Sequence, residues 1–400
     1  MKVDIIATEF PCPSETFAGN DVRALVAQGT DVHVRNLRWP IKEQAQYLAD
    51  WGLASLSVSH LSVKTFLLSI IQLVRHPLLH FYLLQWMLIC GFKKPTHVLK
   101  SLLLIPRTVE IFTEIAERKT DVVHIFWGHY PSMVGALVQK FLPTTKVTIF
   151  LGSYDLVLKY PGSRHVANKA HAVFTHAEVN REEIKQLGVR NPNQIVVYRG
   201  IDRQRFSKKI DDKQKFSIVS AGRLIPEKGF DACIEIIHKL HSQWPEIHLT
   251  IAGEGPFEQQ LKEKISELNL TDHVSLLGHL SHVQLFELMR KQQIMLFMSW
   301  LDAERLPNVV KEAMLTGTIC VATDTPGIDE LIDNGKSGFI VKQHDVMNAA
   351  KCIDSIFSGA VDESAYIEHA QQILENRFDL DKNMTQYIDS WASKPMTENP

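Results

Sequence analysis

"SIVSAGRLIPEKGFDACIEII", residues 217–237, decides the fold. A short apolar run ends at Gly222-Arg223, and Lys228-Gly229 stands just before a helical stretch. That is one strand followed by one helix. The theme continues downstream in "HLTIAGEG" (248–255), "VSLLGH" (274–279), "QIMLFMS" (293–299) and "TICVATD" (318–324), with helical segments between them. Upstream it begins with "KVDIIAT" (2–8), then "ETFAGNDVRALVAQG" (15–29), apolar at helical spacing and closed by Gly29. "DVHVRNL" (31–37), "DVVHIFW" (121–127), "KVTIFLG" (146–152) and "HAVFTH" (171–176) read as further strands. Alternation of this kind predicts an α/β protein with parallel sheets covered by helices on both faces.

The expected organisation is two domains of one class, 1–205 and 213–375. They are joined by "RGIDRQRFSKKIDDKQK" (199–215), polar and poor in apolar periodicity. A last helical segment, 376–400, is expected to pack back on the first domain. Residues 53–92 break the pattern. They are very apolar and interrupted at Arg75-His76-Pro77, so their runs 65–74 and 78–92 are shorter than the roughly 20 residues of a spanning helix. Two added helices are expected. Periodicity leaves open whether they form a core pair or a surface lying against lipid, assisted by Lys93, Lys94, Lys100 and Arg107.

The 400 residues are 45% hydrophobic and 22% charged, which excludes wholesale disorder. Five scattered cysteines (Cys12, Cys90, Cys233, Cys320, Cys352) form no CxxC pair. Neither a disulfide framework nor a zinc site is expected, and a reducing compartment is. "MKVDIIATEF" lacks the regions of a signal peptide. Residues 1–210 carry 26 basic and 16 acidic side chains, whereas 211–400 carry 17 and 29. The basic half suits an anionic surface or substrate.

Chemistry gathers in the second half. In "LDAERLPNVVKEAM" (301–314), Pro307 suits the first turn of a helix that runs to Gly317. The N-terminus of such a helix offers free amides to an anion. Glu304 stands in the loop before it and Glu312 in its second turn. Carboxylates beside a phosphate-seeking helix end fit a ligand that also bears hydroxyls, so the spacing suits a nucleotide sugar. Glutamate near a helix start is also an ordinary stabilising choice. Arg223 and Lys228 stand where a strand end can present them to a diphosphate. Gly253 and Gly255, flanking Glu254, permit close backbone approach by a ligand. Neither GxGxxG nor GxxxxGK[ST] occurs at these positions.

The order "AGRL…EKG", "AGEGP", "LLGHL", "LPNVVKEAM" with Glu304 eight residues before Glu312, and "VATDTPGIDELIDNGKSGFIV" resembles the retaining glycosyltransferases of family 4, of GT-B fold. The resemblance is strong over about 217–345. "FPCPSETFAGNDVRALVAQGTDVHV" and "VYRGID" carry it more weakly into the first half, toward members that build bacterial surface polysaccharides. It implies two Rossmann-like domains facing each other across a cleft that holds the donor. It places Arg223 and Lys228, with Gly222 beside them, on the donor diphosphate. Glu304 faces the transferred sugar and Glu312 the ribose. The backbone of Leu306, Pro307, Asn308 and Val309 holds phosphate and sugar oxygens, and Gly278 to Leu280 line the base pocket. Transfer retains the anomeric configuration and requires no metal or other cofactor.

Two departures from the family pattern matter. Arg305 replaces the usual glycine after the first glutamate, either to meet an acidic sugar or to point to solvent. The usual His-x-His after the "DVVH" strand is absent. His124 in the strand is either a substrate contact of the first domain or a core residue, and His129 in "WGHYPS" beyond it either takes the catalytic or donor-contacting task or is structural. "FLGSYD" has Gly152 where relatives tend to carry histidine, while Asp155 remains. Ser14, Glu15 and Thr16 form either a loop facing substrate or a plain helix cap. The expected activity is hexosyl transfer from a nucleotide-diphosphate sugar to a glycan or lipid-linked acceptor. It would occur in the cytoplasm, at the inner face of an anionic membrane, with no nucleic-acid partner. An epimerase of the same fold and a non-catalytic nucleotide-sugar-binding protein remain as alternatives.

Overall fold

The computed structural model describes residues 1–12, 16–92, 94–202 and 213–393. The chain forms two compact units, one of Met1–Gly200 with the chain from Leu380 onward, the other of Ile201–Asp379.

In the first unit seven parallel strands form one sheet: β1 (Lys2–Ala7), β2 (Asp31–Asn36), β3 (Ser57–Ser59), β4 (Val122–Ile125), β5 (Lys146–Phe150), β6 (Ala172–Thr175) and β7 (Gln194–Val196). Their spatial order is β3-β2-β1-β4-β5-β6-β7. Val3 pairs with Val32 on one side and Val122 on the other. β4 is buried at all four positions, as a strand covered on both faces must be. One face packs on the helices Pro77–Cys90, Pro95–Arg118 and Ser132–Phe141, through Leu83, Trp86, Val109 and Leu137. The other packs on Thr16–Ala27 and Leu380–Ala392, through Val22, Leu25, Tyr387 and Trp391.

The second unit has six parallel strands: β8 (Gln214–Ala221), β9 (His248–Ala252), β10 (Val274–Leu276), β11 (Gln292–Phe297), β12 (Ile319–Thr323) and β13 (Gly338–Val341). Their order is β10-β9-β8-β11-β12-β13. The core runs through Ile218, Ile234, Leu249, Leu296 and Val321.

The structure differs from the sequence reading at three strands. β3 lies inside the 53–92 segment, where only helices were expected. It joins the sheet edge beside β2, and the two helices follow as Val63–Arg75 and Pro77–Cys90. β7 and β13, three and four residues long, are edge strands of their sheets and were not among the strands expected. Most of the polar stretch 199–215 (203–212) lies outside the described residues, but its end already belongs to β8. There the Lys213 ammonium donates to the carbonyls of Arg290 and Thr316 at 2.9 and 2.8 Å.

Candidate functional site

Each sheet reverses direction once. In the second sheet β8 lies between β9 and β11, so the chain leaves β8 toward one side and β11 toward the other. Ligands of open parallel sheets bind outside the carboxyl ends of strands at such a switch. The loops there are 222–229 after β8 and 298–307 after β11. They carry Arg223, Lys228 and Glu304.

The two loops are laced together. The Trp300 amide donates to the Glu227 carbonyl at 2.9 Å, and the Ser299 hydroxyl donates to the same oxygen at 3.1 Å. Gly229 has φ +69°, and a Cβ there would meet the Met298 carbonyl oxygen at 2.0 Å. This contact between the loops delivers the Lys228 ammonium to the Glu304 carboxylate, with which it forms an ion pair. Ser299 Oγ lies 3.4 Å from the same carboxylate oxygen. Both side chains of the pair keep part of their surface open, 18% for Lys228 and 14% for Glu304. Arg223 is exposed at the end of the same strand.

The loop then enters the helix Asn308–Leu315. Leu306 takes φ +48° while buried. A non-glycine residue in this region is strained and marks a place where surroundings fix the backbone. Pro307 is the N-cap residue, and Asn308 and Val309 open the first turn. At the other end Thr318 N–H reaches the Ala313 carbonyl (2.9 Å) and Gly317 N–H the Met314 carbonyl (3.1 Å), closing the helix with a Schellman motif. Glu312, in the second turn, meets His282 Nε2 at 2.8 Å. His282 opens the helix His282–Lys291 after the capping pair Ser281 and Gln284. The sequence reading missed His282 and Ser299. Nothing local marks His282, which becomes visible only when the two helices are adjacent. Ser299 sits at a strand end and could have been found from that position.

One expectation gains a second reason here and another is corrected. Gly253 and Gly255 are required by protein backbone whether or not a ligand approaches them. A Cβ at Gly253 would lie 1.8 Å from the Gly222 oxygen, and one at Gly255 would lie 2.2 Å from the Leu224 oxygen. Glu254 between them is exposed, and its carbonyl accepts from Leu224 N–H at 2.9 Å. Arg305 does not point to solvent. It is 8% exposed and donates to the backbone oxygens of Asp302 and Glu304, so its cation stiffens the loop that presents Glu304. Gly278 has φ +70° with open space around it, and Leu280 is half-buried.

In the first sheet the switch falls between β1 and β4. The loop after β4 carries His129, whose Nε2 lies 3.4 Å from Asp155 Oδ1. Asp155 is fully buried and accepts from Gly152 N–H at 3.0 Å. Burial pushes its carboxyl pKa up, against the opposing pull of His129, the Gly152 and Gly128 amides and Arg199. Asp155 therefore faces His129 and the loop amides and presents no surface to solvent. Gly152 stands where a side chain would strike the Trp127 ring at 2.4 Å, which explains why no histidine occupies that position here. The guanidinium of Arg199 lies 3.7 Å over the Phe17 ring and 4.6 Å over that of Phe150.

His124 is corrected to a core residue. It is 3% exposed, bonded to Thr148 Oγ1 at 2.9 Å and ringed by Phe126, Phe174, Tyr387 and Trp391. Burial lowers its pKa to about 3. Ser14 and Glu15 lie outside the described residues. Thr16 begins the helix Thr16–Ala27.

Two parallel-sheet, Rossmann-like units define the GT-B architecture, and residues 200–388 match the family model described as "Glycosyl transferases group 1". The protein is a glycosyltransferase. It is 25% identical to the amylovoran biosynthesis glycosyltransferase AmsK of Erwinia amylovora, over 94% of this chain and 96% of that one. It is also 25% identical to the putative colanic acid biosynthesis glycosyltransferase WcaL of Salmonella typhimurium, over 88% and 89%. Among solved structures, Anabaena HepE in complex with UDP superposes with a TM-score of 0.74 at 17% identity, over 98% of this chain and all of that one.

Proposed function

We propose that the protein is a retaining family 4 hexosyltransferase. It moves a sugar from a nucleotide-diphosphate donor to a glycan or lipid-linked acceptor in polysaccharide synthesis, at a cytoplasmic membrane face. The carrying observation is the Lys228–Glu304 pair at the sheet switch, four residues before a helix N-terminus. Cation and helix amides suit a departing diphosphate. The carboxylates of Glu304 and Glu312 suit hydroxyls of the sugar and ribose. In the reaction the bond from the anomeric carbon to the phosphate oxygen breaks. The acceptor oxygen bonds to the same face of that carbon, and its proton passes to the leaving phosphate. Charge compensation comes from Arg223, Lys228 and the amides, with no metal. The names of the polysaccharide-building relatives and the UDP-bound neighbour support the substrate class.

The membrane part rests on the helices Val63–Arg75 and Pro77–Cys90. No single helix among the described residues is long and apolar enough to cross a bilayer. Yet Val74 is 82% exposed, Leu78 77% and Leu88 81%, and no carboxylate occurs between Asp50 and Glu110. Such a surface fits the interface of an anionic bilayer.

The test is release of nucleoside diphosphate from a panel of uridine- and guanosine-diphosphate sugars, with and without membrane lipid extract. One donor should be consumed, with turnover unchanged by chelator and reduced roughly 100-fold or more in Glu304→Gln. Donor binding without release under every condition would leave a non-catalytic protein. A new free nucleotide sugar without acceptor would make it an epimerase.

A further inference from the structure

A cavity of about 630 Å³ opens in the first unit. It forms where helices end. The helix Pro77–Cys90 stops at Gly91 (φ +69°), the helix Ser153–Leu158 stops at Lys159 (φ +50°), and Lys94 is the N-cap of Pro95–Arg118. Gly91, Lys94 and Lys159 of these helix ends all line the cavity. Lys94, Lys159 and Arg164 line it together with His97, and no carboxylate does. Ile89, Val157 and Leu158 add apolar lining. Ile89 is 72% exposed and lies in the last turn of the helix Pro77–Cys90, beside the exposed Leu88.

Lys94, Lys159 and Arg164 are exposed, and their summed positive field beside an apolar surface attracts an anion. An arginine and two lysines lining one cavity suit phosphate. An apolar wall that runs out onto an exposed helix suits a hydrocarbon chain attached to it. His97 also connects this cavity to the loop after β4. Its ring lies 5.6 Å from that of Tyr160, and Tyr160 lies 6.2 Å from His129. Burial lowers the His97 pKa most, and the charges of Lys94, His129 and Lys100 add to the effect.

We propose that this cavity binds the phosphate head of a lipid, with its chain lying along Ile89, Val157 and Leu158. In the transferase reading the lipid is the carrier of the acceptor, and only that last identification rests on the proposed function. Binding can be measured without turnover, on the full chain, by titration with monomeric octyl phosphate. Saturable binding is expected. It should weaken at least tenfold in Lys94→Ala/Arg164→Ala and return in Lys94→Arg/Arg164→Lys, with unchanged thermal unfolding. Octyl glucoside should not compete, and inorganic phosphate should compete at least tenfold more weakly. Absence of saturable binding, or equal binding in the double alanine variant, overturns the site. Equal competition by inorganic phosphate overturns the lipid, and equal competition by octyl glucoside overturns the anion. In transfer assays the double variant should raise KM for a lipid-linked acceptor while donor hydrolysis stays unchanged. If no donor is ever consumed, the transferase reading fails, and the octyl phosphate titration still decides the cavity.

Discussion

At the scale of the residue, three glycines separate two explanations for glycine at strand ends. Sequence reading assigned Gly253 and Gly255 to ligand approach, because a glycine after a strand shows only that something comes close. The structure shows that the close neighbour is the preceding loop, at 1.8 and 2.2 Å from a would-be Cβ. Gly253→Ala and Gly255→Ala should therefore each cost about 2–4 kcal/mol in unfolding free energy, irrespective of donor. Gly278→Ala meets open space and should cost only about 1–2 kcal/mol, for its positive φ. Thermal unfolding of the three variants without ligand checks the order. Equal losses would mean that the loop contact carries no weight. His124 gives a second residue-scale test. Its pKa falls from the ordinary 6.5 to about 3 by burial. The unfolded chain thus takes up a proton below pH 6.5 that the folded one refuses until about pH 3. The stability this gives is complete above 6.5 and is lost as pH falls, by about 1.4 kcal/mol per pH unit. Urea unfolding of the first unit should lose roughly 2 kcal/mol from this group between pH 7 and pH 5. His124→Gln, which cannot take the proton, should flatten that slope.

At the scale of the element, the strands that define the sheets were legible because each is a short apolar run bounded by turn residues, as in "KVTIFLG" and "HLTIAGEG". β3 was not, because "SVS" sits within a segment whose apolar content reads as helix. The helix Asn308–Leu315 was legible at both ends, from Pro307 and Gly317. The pairing of Lys228 with Glu304 was not. It depends on β8 and β11 being neighbours, and strand order is a property of pairing between distant segments. For the apolar helices, period could not choose between core and surface, and the structure shows both in one pair. Leu83 and Trp86 are buried while Leu78 and Leu88 face outward. The outward residues can be changed without touching the core. Val74→Asp/Leu78→Asp should leave unfolding within about 0.5 kcal/mol of wild type. In flotation with vesicles containing anionic lipid it should lose at least tenfold in bound fraction, and retained binding would remove the membrane from the proposal.

At the scale of the whole molecule, the chain leaves the first unit near residue 200, builds the second, and returns at Leu380. A terminal helix is easily read from "FDLDKNMTQYIDSWASK", but the surface that receives it lies far away in sequence. The helix Leu380–Ala392 closes one face of the first sheet. Trp391, 1% exposed, donates from Nε1 to Thr148 Oγ1 at 3.2 Å, and Tyr387 stacks within 4.2 Å of Phe174. The Lys146 ammonium donates to the Trp391 carbonyl at 2.6 Å, and Asn383 Nδ2 donates to the Tyr198 carbonyl at 2.8 Å. These contacts belong to the unit that was left, so a defect at the end of the chain should be felt at its beginning. Trp391→Ala removes a buried indole and should cost about 3–5 kcal/mol, all of it in the first unit. Unfolding followed by hydrogen exchange should show lost protection in β4 and β5 and unchanged protection in β8 and β9. In the proposed reading Arg223 and Lys228 on the second unit should still bind nucleoside diphosphate with wild-type affinity under conditions where the first unit has begun to open. An equal loss of protection in both sheets would mean that the two units unfold as one, and the return of the chain would then serve the whole molecule.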